Sequence, residues 1–295
     1  LTGDPLASWG AAASDRGSRI RFGGTSLVLG GGIVAIMLLF ALFPSVFATF
    51  PPERADPLDI LLPPGGEHLL GTDINGMDIW SRVVWAARID LLIALSSTLA
   101  GATAGTLIGT WAGYYFSRRS PAGWIVELVM RAMDMLQAFP IFIIALAAVG
   151  MSGRSISNLV WVLIVLQIPI FARLARSEVV RVRPETYVDA ARCAGNGDFG
   201  VVMRHILPNS ITPTVVNASI VGGSMILLTA GLSFVGAGVP APTPEWGYMV
   251  SVGAANLFTG QWWPALFPGL FIGLTVLGFS LLGEGLRTIL DRTRR

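Results

Sequence analysis

Few side chains in this sequence are equipped for chemistry, and their spacing restricts them further. There are two histidines, His68 and His205, one cysteine, Cys193, and no lysine, because all twenty basic residues are arginine. One cysteine excludes an intrachain disulfide and any thiolate cluster for zinc or iron–sulfur chemistry. The absence of lysine removes the P-loop GxxxxGK[ST] and the Schiff-base amine. If ATP drives this protein, another subunit binds it. Gly231-Leu232-Ser233 and Gly278-Phe279-Ser280 hint at a serine nucleophile, but neither continues as GxSxG and no histidine stands at matching depth. The histidines read as loop residues making ordinary hydrogen bonds. Glu127, Arg131 and Asp134, spaced by four and three, share one helical face and would suit a proton relay. The preferred reading is a helix starting near Pro121 in the cytoplasm, because a charge at mid-membrane costs about 2.5–3.5 kcal/mol. Neither an enzyme nor a metal site is expected, nor a cofactor or a nucleic-acid partner.

The elements that carry these residues are apolar. Hydrophobic residues make up 53% of the chain and charged residues 13%, against about 25% charged in a soluble domain, so a lipid bilayer is the expected solvent. Charges are absent from Leu27 to Phe47, Leu91 to Tyr115, Met135 to Met151, Ile156 to Phe171, Ile211 to Val235 and Phe267 to Leu282. Each run is a candidate span, since crossing about 30 Å of hydrocarbon takes roughly 20 apolar residues, and the shorter runs must borrow flanking residues. These runs lack the two-residue alternation of a barrel strand, leaving helices as the form that satisfies its own backbone in lipid. The expectation is an all-α integral membrane protein with about six transmembrane helices. The first run, behind Arg16, Arg19 and Arg21, also resembles a signal peptide ending at Val46-Phe47-Ala48, but it is longer than the usual apolar core of about 7–15 residues. The chain opens on Leu1, so a few residues are expected to precede it.

Arginine sets the orientation. Besides the three at the start, Arg118 and Arg119 follow the second span, Arg173, Arg176, Arg181, Arg183, Arg192 and Arg204 follow the fourth, and Arg287, Arg292, Arg294 and Arg295 close the chain. These are expected in the cytoplasm together with both termini. Pro51 to Asp90 carries Glu53, Asp56, Asp59, Glu67, Asp73, Asp78 and Asp90, and Thr243 to Gln261 carries only Glu245. This gives a cytoplasmic segment 1–24, a membrane domain 25–295, an external loop near 49–88 and a cytoplasmic loop near 173–209.

Gly101, Gly105, Gly109 and Gly113 place a side-chain-free strip on one face of the second span, so another helix can approach closely, within this chain or across a subunit boundary. Gly269 and Gly273 repeat the spacing once. In the cytoplasmic loop, Arg183-Pro184-Glu185-Thr186 can start a helix. Tyr187, Ala190, Ala191 and Ala194 then share a face, and Gly195 suits a left-handed cap. A second short amphipathic helix is expected from Phe199 to Leu207, stopping before Pro208. The alanine face fits a shallow groove on a partner, or the helix rests on the bilayer surface with its arginines among headgroups.

Asp189-Ala190-Ala191, Gly195 and Ile206-Leu207-Pro208 resemble the EAA loop of ABC importer permeases, with Asp189 in place of the usual Glu and His205 where Ile is usual. His68-Leu69-Leu70-Gly71-Thr72-Asp73 through Asp78 and Ser81-Arg82, Gly231 to Gly236 through Pro242-Thr243-Pro244-Glu245-Trp246-Gly247, and Trp262 to Gly269 with Leu282-Gly283-Glu284-Gly285-Leu286-Arg287 are similar to the C-type permease of dipeptide and oligopeptide importers. The resemblance implies a type I ABC importer permease fold with cytoplasmic coupling helices. It implies as partners a homologous second permease, two nucleotide-binding ATPase subunits carrying ATP and Mg, and an extracytoplasmic substrate-binding protein. It assigns ATPase docking to Asp189, Ala190, Ala191, Arg192, Gly195, Arg204, Leu207 and Pro208. Binding-protein contact is expected at Gly71, Thr72, Asp73, Asp78, Pro242, Pro244 and Trp246, whose alternative is capping of helix ends. Peptides are the expected cargo, with nickel complexes or another small solute as alternatives. An ion-coupled secondary carrier is the competing class, and it would need ion ligands in broken helices.

Overall fold

The computed structural model describes residues 5–116 and 121–292, with side chains from residue 24 onward except 122, 291 and 292. Arg118, Arg119, Arg294 and Arg295 therefore lie outside the described residues, as do the side chains of Arg16, Arg19, Arg21 and Arg292. The described residues are mostly helical: α1 (Pro5–Leu42), α2 (Pro44–Phe47), α3 (Ile79–Tyr115), α4 (Pro121–Gln137), α5 (Ile141–Ser152), α6 (Ile156–Val182), α7 (Thr186–Cys193), α8 (Asp198–Val201), α9 (Leu207–Ser210), α10 (Thr212–Phe234), α11 (Trp246–Ala254) and α12 (Trp263–Arg292). A π-helical turn, Val202–Ile206, joins α8 to α9. Extended pairing among the described residues is confined to isolated bridges, Gly65 with His68 and Thr72 with Asp78.

Five helices are long and apolar enough to cross a membrane, from α1, α3, α6, α10 and α12, and the bent pair α4–α5 makes a sixth span if counted as one. The protein is a multi-pass membrane protein. The third span departs from expectation: the run Met135 to Met151 is not one straight helix, because α4 and α5 meet at 92° across a short break. Pro140, the N-cap of α5, lacks an N–H and disfavours helical backbone at Phe139, so the helix cannot pass through. The twelve residues of α5 reach about 18 Å, less than the hydrocarbon thickness, and α4 turns aside from that line. Glu127, Arg131 and Asp134 thus sit on a helix crossing the span direction. Arg131 pairs with Glu127 at 2.8 Å and Arg173 of α6 with Asp134 at 2.7 Å. An adjoining face of α4, through Met130 and Met133, packs on Ala112 and Ala172. A cavity of about 460 Å³ opens at the break, with Gln137, Phe139, Pro140, Pro169 and Arg173 in its wall.

The glycine strip meets a helix of the same chain. Built onto Gly105, a Cβ would stand 2.6 Å from the Ile168 carbonyl oxygen, and onto Gly113, 2.7 Å from the Val179 Cβ. At Gly109 it would run into the backbone of Ala172. Contacts advance together along both helices, so α6 runs parallel to α3 and both end on the same side. α6 continues past Phe171 to Val182, which brings Arg173, Arg176 and Arg181 onto a helix rather than a loop. The Gly269–Gly273 repeat does not carry close packing, since the space at Gly273 is open. In α12 it is Gly278 that lies against Ile33 and Gly285 against Leu27 of α1, with Gly30 against the Leu282 backbone.

Gly109→Val should separate α3 from α6 and destabilise the protein by at least the 1–3 kcal/mol typical of overpacking, read as a lowered thermal midpoint in detergent. Gly31→Ala, where nothing lies within 4 Å, serves as the matched control and should melt like the parent.

Candidate functional site

The ends of α3 and α6 form a seat for α7–α9. Tyr114, Val179, Val188, Val201, Val202 and Ile206 are fully buried in one cluster with Ala191, and Trp111, Tyr115 and Met203 pack around it. Each such aliphatic contributes about 1.5–3 kcal/mol of burial, so the seam rather than any polar contact supplies most of the hold. Polar contacts fix its register. Asp198 accepts a short hydrogen bond from the Tyr114 hydroxyl and a second from Tyr115 at 3.3 Å. Arg183 donates to the Phe116 carbonyl at 2.7 Å. Trp111 stacks on Phe199 at 6.1 Å between centroids.

Turn chemistry shapes the hairpin. α7 ends as expected at Gly195, whose φ of +83° is the left-handed region that a side chain disfavours. The Gly195 N–H donates to the Arg192 carbonyl at 3.0 Å, and the Asn196 amide reaches the Ala191 carbonyl at 2.9 Å. The second helix does not stop before Pro208. α8, the π turn and α9 make one helical run, and Pro208, which has no N–H to donate, sits just past the π turn without ending it.

Of the residues expected to dock, Asp189, Ala190, Gly195, Arg204 and Pro208 are exposed and Leu207 half-buried. Ala191 is not on the outer face; it is 7% exposed and belongs to the seam. Arg192 turns back as well, donating to Asp189 at 2.9 Å and lying 5.6 Å over the Tyr114 ring. The outer face instead consists of Tyr187, Ala190 and Ala194, at helical spacing. Tyr114 and Asp198 escaped the sequence reading; the adjacent Tyr114-Tyr115 just after the glycine strip was the available signal.

At the opposite, acidic end the expected contact residues mostly face inward. Gly71, Thr72, Asp78, Pro244 and Trp246 are buried, Asp73 is half-buried, and only Pro242 is exposed. They join the two loops to the helices. Asp78 caps α3 by accepting from Ser81 N at 2.8 Å. Asp73 accepts from the amides of Asn75 and Met77. Trp263 Nε1 donates to the Thr72 carbonyl at 3.2 Å, and Trp246 Nε1 to the Val83 carbonyl at 2.9 Å. Arg82, 2% exposed, is the hub: it donates to the carbonyls of Pro52 at 3.0 Å and Pro242 at 3.5 Å and lies 3.7 Å from Asp73. No local pattern marks such a role, because its partners are distant in sequence. His68 is likewise more than an ordinary loop residue. Its Nδ1 lies 2.9 Å from Asp78 and its Nε2 3.5 Å from Asp59. Among the described residues no group of three or more His, Cys, Asp or Glu side chains is placed to hold a metal ion.

Residues 105–295 match the family described as binding-protein-dependent transport system inner membrane component. The chain is 37% identical over 264 residues to the dipeptide transport system permease protein of Alkalihalophilus pseudofirmus, covering 90% of this chain and 84% of that one. It is 40% identical over 228 residues to the glutathione transport system permease protein of Pectobacterium atrosepticum, covering 77% and 73%. With the di/tripeptide transport system permease protein of Pseudomonas aeruginosa it shares 38% over 270 residues, covering 89% and 87%. The whole of α7–α9 lies inside the family match.

Burial lowers the His68 pKa, but the hydrogen bonds and charges of Asp78 and Asp59 together outweigh it and hold the imidazole above the ordinary 6.5. Its contribution to stability is therefore complete below 6.5 and is lost as pH rises through the raised value. Thermal midpoints measured from mildly acid to mildly alkaline buffer should fall across that window, and His68→Gln should flatten this part of the curve.

Proposed function

Because the chain belongs to the family of binding-protein-dependent transport system inner membrane components, we propose that it is the membrane permease of an importer that carries peptides inward on the energy of ATP bound elsewhere. The observation that carries this reading is the α7–α9 hairpin. It presents Tyr187, Ala190 and Ala194 outward while its other face is sealed onto the ends of α3 and α6. A partner that pushes on this face moves both helices, because the glycine seam joins them as one body. ATPase subunits engaging the hairpin through Asp189, Ala190, Gly195, Arg204 and Pro208 would thereby change access at the far end, which is alternating access by population shift between two packings. ATP and Mg belong to those subunits, and this chain has no catalytic role.

The permease works with a homologous second permease, two ATPase subunits and an extracytoplasmic binding protein at the acidic end, where Pro242 and the exposed rim around Asp73 are the accessible parts. The arginine-rich end, with α7–α9 and both termini, lies in the cytoplasm of a bacterial cell. The peptide cargo follows from the named substrates of the dipeptide and di/tripeptide relatives.

One feature favours an ion-coupled carrier: the sharply bent pair α4–α5, since such carriers hold cations at broken helices. Against it, the residues lining the cavity at the break include no carboxylate to hold a cation.

Ala190→Trp tests the hairpin without touching the seam, since Ala190 is exposed. The variant should insert and melt like the parent, yet lose co-purifying P-loop ATPase and lower uptake roughly tenfold or more, the consequence of about 1.4 kcal/mol or more of lost docking. Gly195→Val, strained at positive φ, should uncouple uptake in the same way. Unchanged uptake in both variants would remove the docking assignment.

A further inference from the structure

Two carboxyl side chains meet inside the protein at the first turn of α11. Asp90 on α3 is 2% exposed, and Glu245, the cap of α11, is fully buried. Both serve the first turn of α11: Asp90 Oδ2 accepts from Trp246 N at 3.1 Å, and Glu245 accepts from Gly247 N at 2.9 Å and Tyr248 N at 2.7 Å. The remaining Asp90 oxygen, Oδ1, receives no N–H or O–H donor, and the two carboxyls take adjoining amides of one helical turn, which sets them side by side. The buried Ser233 Oγ, on the α10 helix that packs against α11, likewise has no hydrogen-bond partner. Two ionised carboxylates have only acceptors to offer each other. In apolar surroundings such a pair keeps a proton, which turns repulsion into a hydrogen bond.

We propose that Asp90 and Glu245 form a binding site for a single proton that latches α11 to α3 and is reached from the acidic end past Ser233. The path is a cavity of about 440 Å³ that has Ser233, Arg154, Gly236, Pro240 and Tyr248 in its wall. No guanidinium neutralises the pair: Arg82 is engaged with Asp73, and Arg154 donates to the Gly236 carbonyl at 2.7 Å. Tyr248 is the one other titratable side chain at the first turn of α11, α10 is uncharged along its length, and α12 is uncharged from Trp263 to Leu282. Burial pushes the Glu245 carboxyl above its ordinary value, against the lowering by the Tyr248 and Gly247 amides. When the proton leaves, like charges face each other across the α3–α11 contact, and α11 loosens.

The test is infrared spectroscopy of the full-length protein in lipid nanodiscs at neutral pH, with melting curves against pH. A protonated-carboxyl carbonyl band is expected in the wild type and should shift or vanish in Asp90→Asn and Glu245→Gln, which leave one carboxyl without its carboxyl partner. The wild-type midpoint should fall further on alkalinisation than that of Asp90→Asn, His68 contributing equally to both curves. Absence of the band in the wild type overturns the proposal, even if neither variant folds. A wild-type midpoint that rises with sodium or calcium, and does so no longer in Asp90→Asn, also overturns it, assigning the site to a metal cation.

Discussion

In hydrocarbon, apolar side chains gain nothing by leaving lipid for a neighbouring helix, so helices associate where their backbones come close enough for dense packing. The seam between α3 and α6 is that place here. Gly101 lies against Gln167, Gly105 against Ile168 and Phe171, Gly109 against Ala172 and Gly113 against Val179. Because the contact runs the length of both helices in parallel, their ends are presented together at each side of the bundle. At one side that common end is the platform on which Tyr114 and Val179 receive α7–α9. At the other, the start of α3 carries Asp78, Arg82 and Asp90, which gather the loops and α11.

Polar groups follow from the same constraint. A buried donor or acceptor in lipid has no water to fall back on, and the chain answers by keeping strong charges near helix ends, several of them paired. Asp198 takes the Tyr114 and Tyr115 hydroxyls, Arg82 takes loop carbonyls, and Arg173 takes Asp134. What is left for a partner protein is modest and specific: an alanine–tyrosine face on a hairpin whose opposite side is locked in place.

Features with a local cause were legible in the sequence. The spans follow from charge-free runs, the ladder from a four-residue glycine period, and the end of α7 from a glycine followed by Asn196-Gly197. The hairpin family signature also stood in one short stretch. Features decided by two distant segments were not legible. Ala191 shares a helical face with Ala190 in a wheel projection, yet the seam takes it inward because Val188 and Ala191 together meet Tyr114 and Ile206. The bend between α4 and α5 was hidden because hydropathy ignores direction, although Pro140 marked the place. The motif residues at the acidic end read as a contact surface because their partners, Trp263 and Val83 among them, come from elsewhere in the chain.

The central claim, an ATP-driven importer whose motor is on other chains, is tested most directly by reconstitution. The chain is placed in liposomes with its second permease and ATPase subunits, and labelled dipeptide uptake is followed with binding protein on the side of the acidic end. The account predicts accumulation that requires hydrolysable ATP and binding protein, proceeds without any ion gradient, and disappears when the ATPases are omitted. Uptake by this chain alone, driven by a sodium or proton gradient and indifferent to ATP, would contradict it.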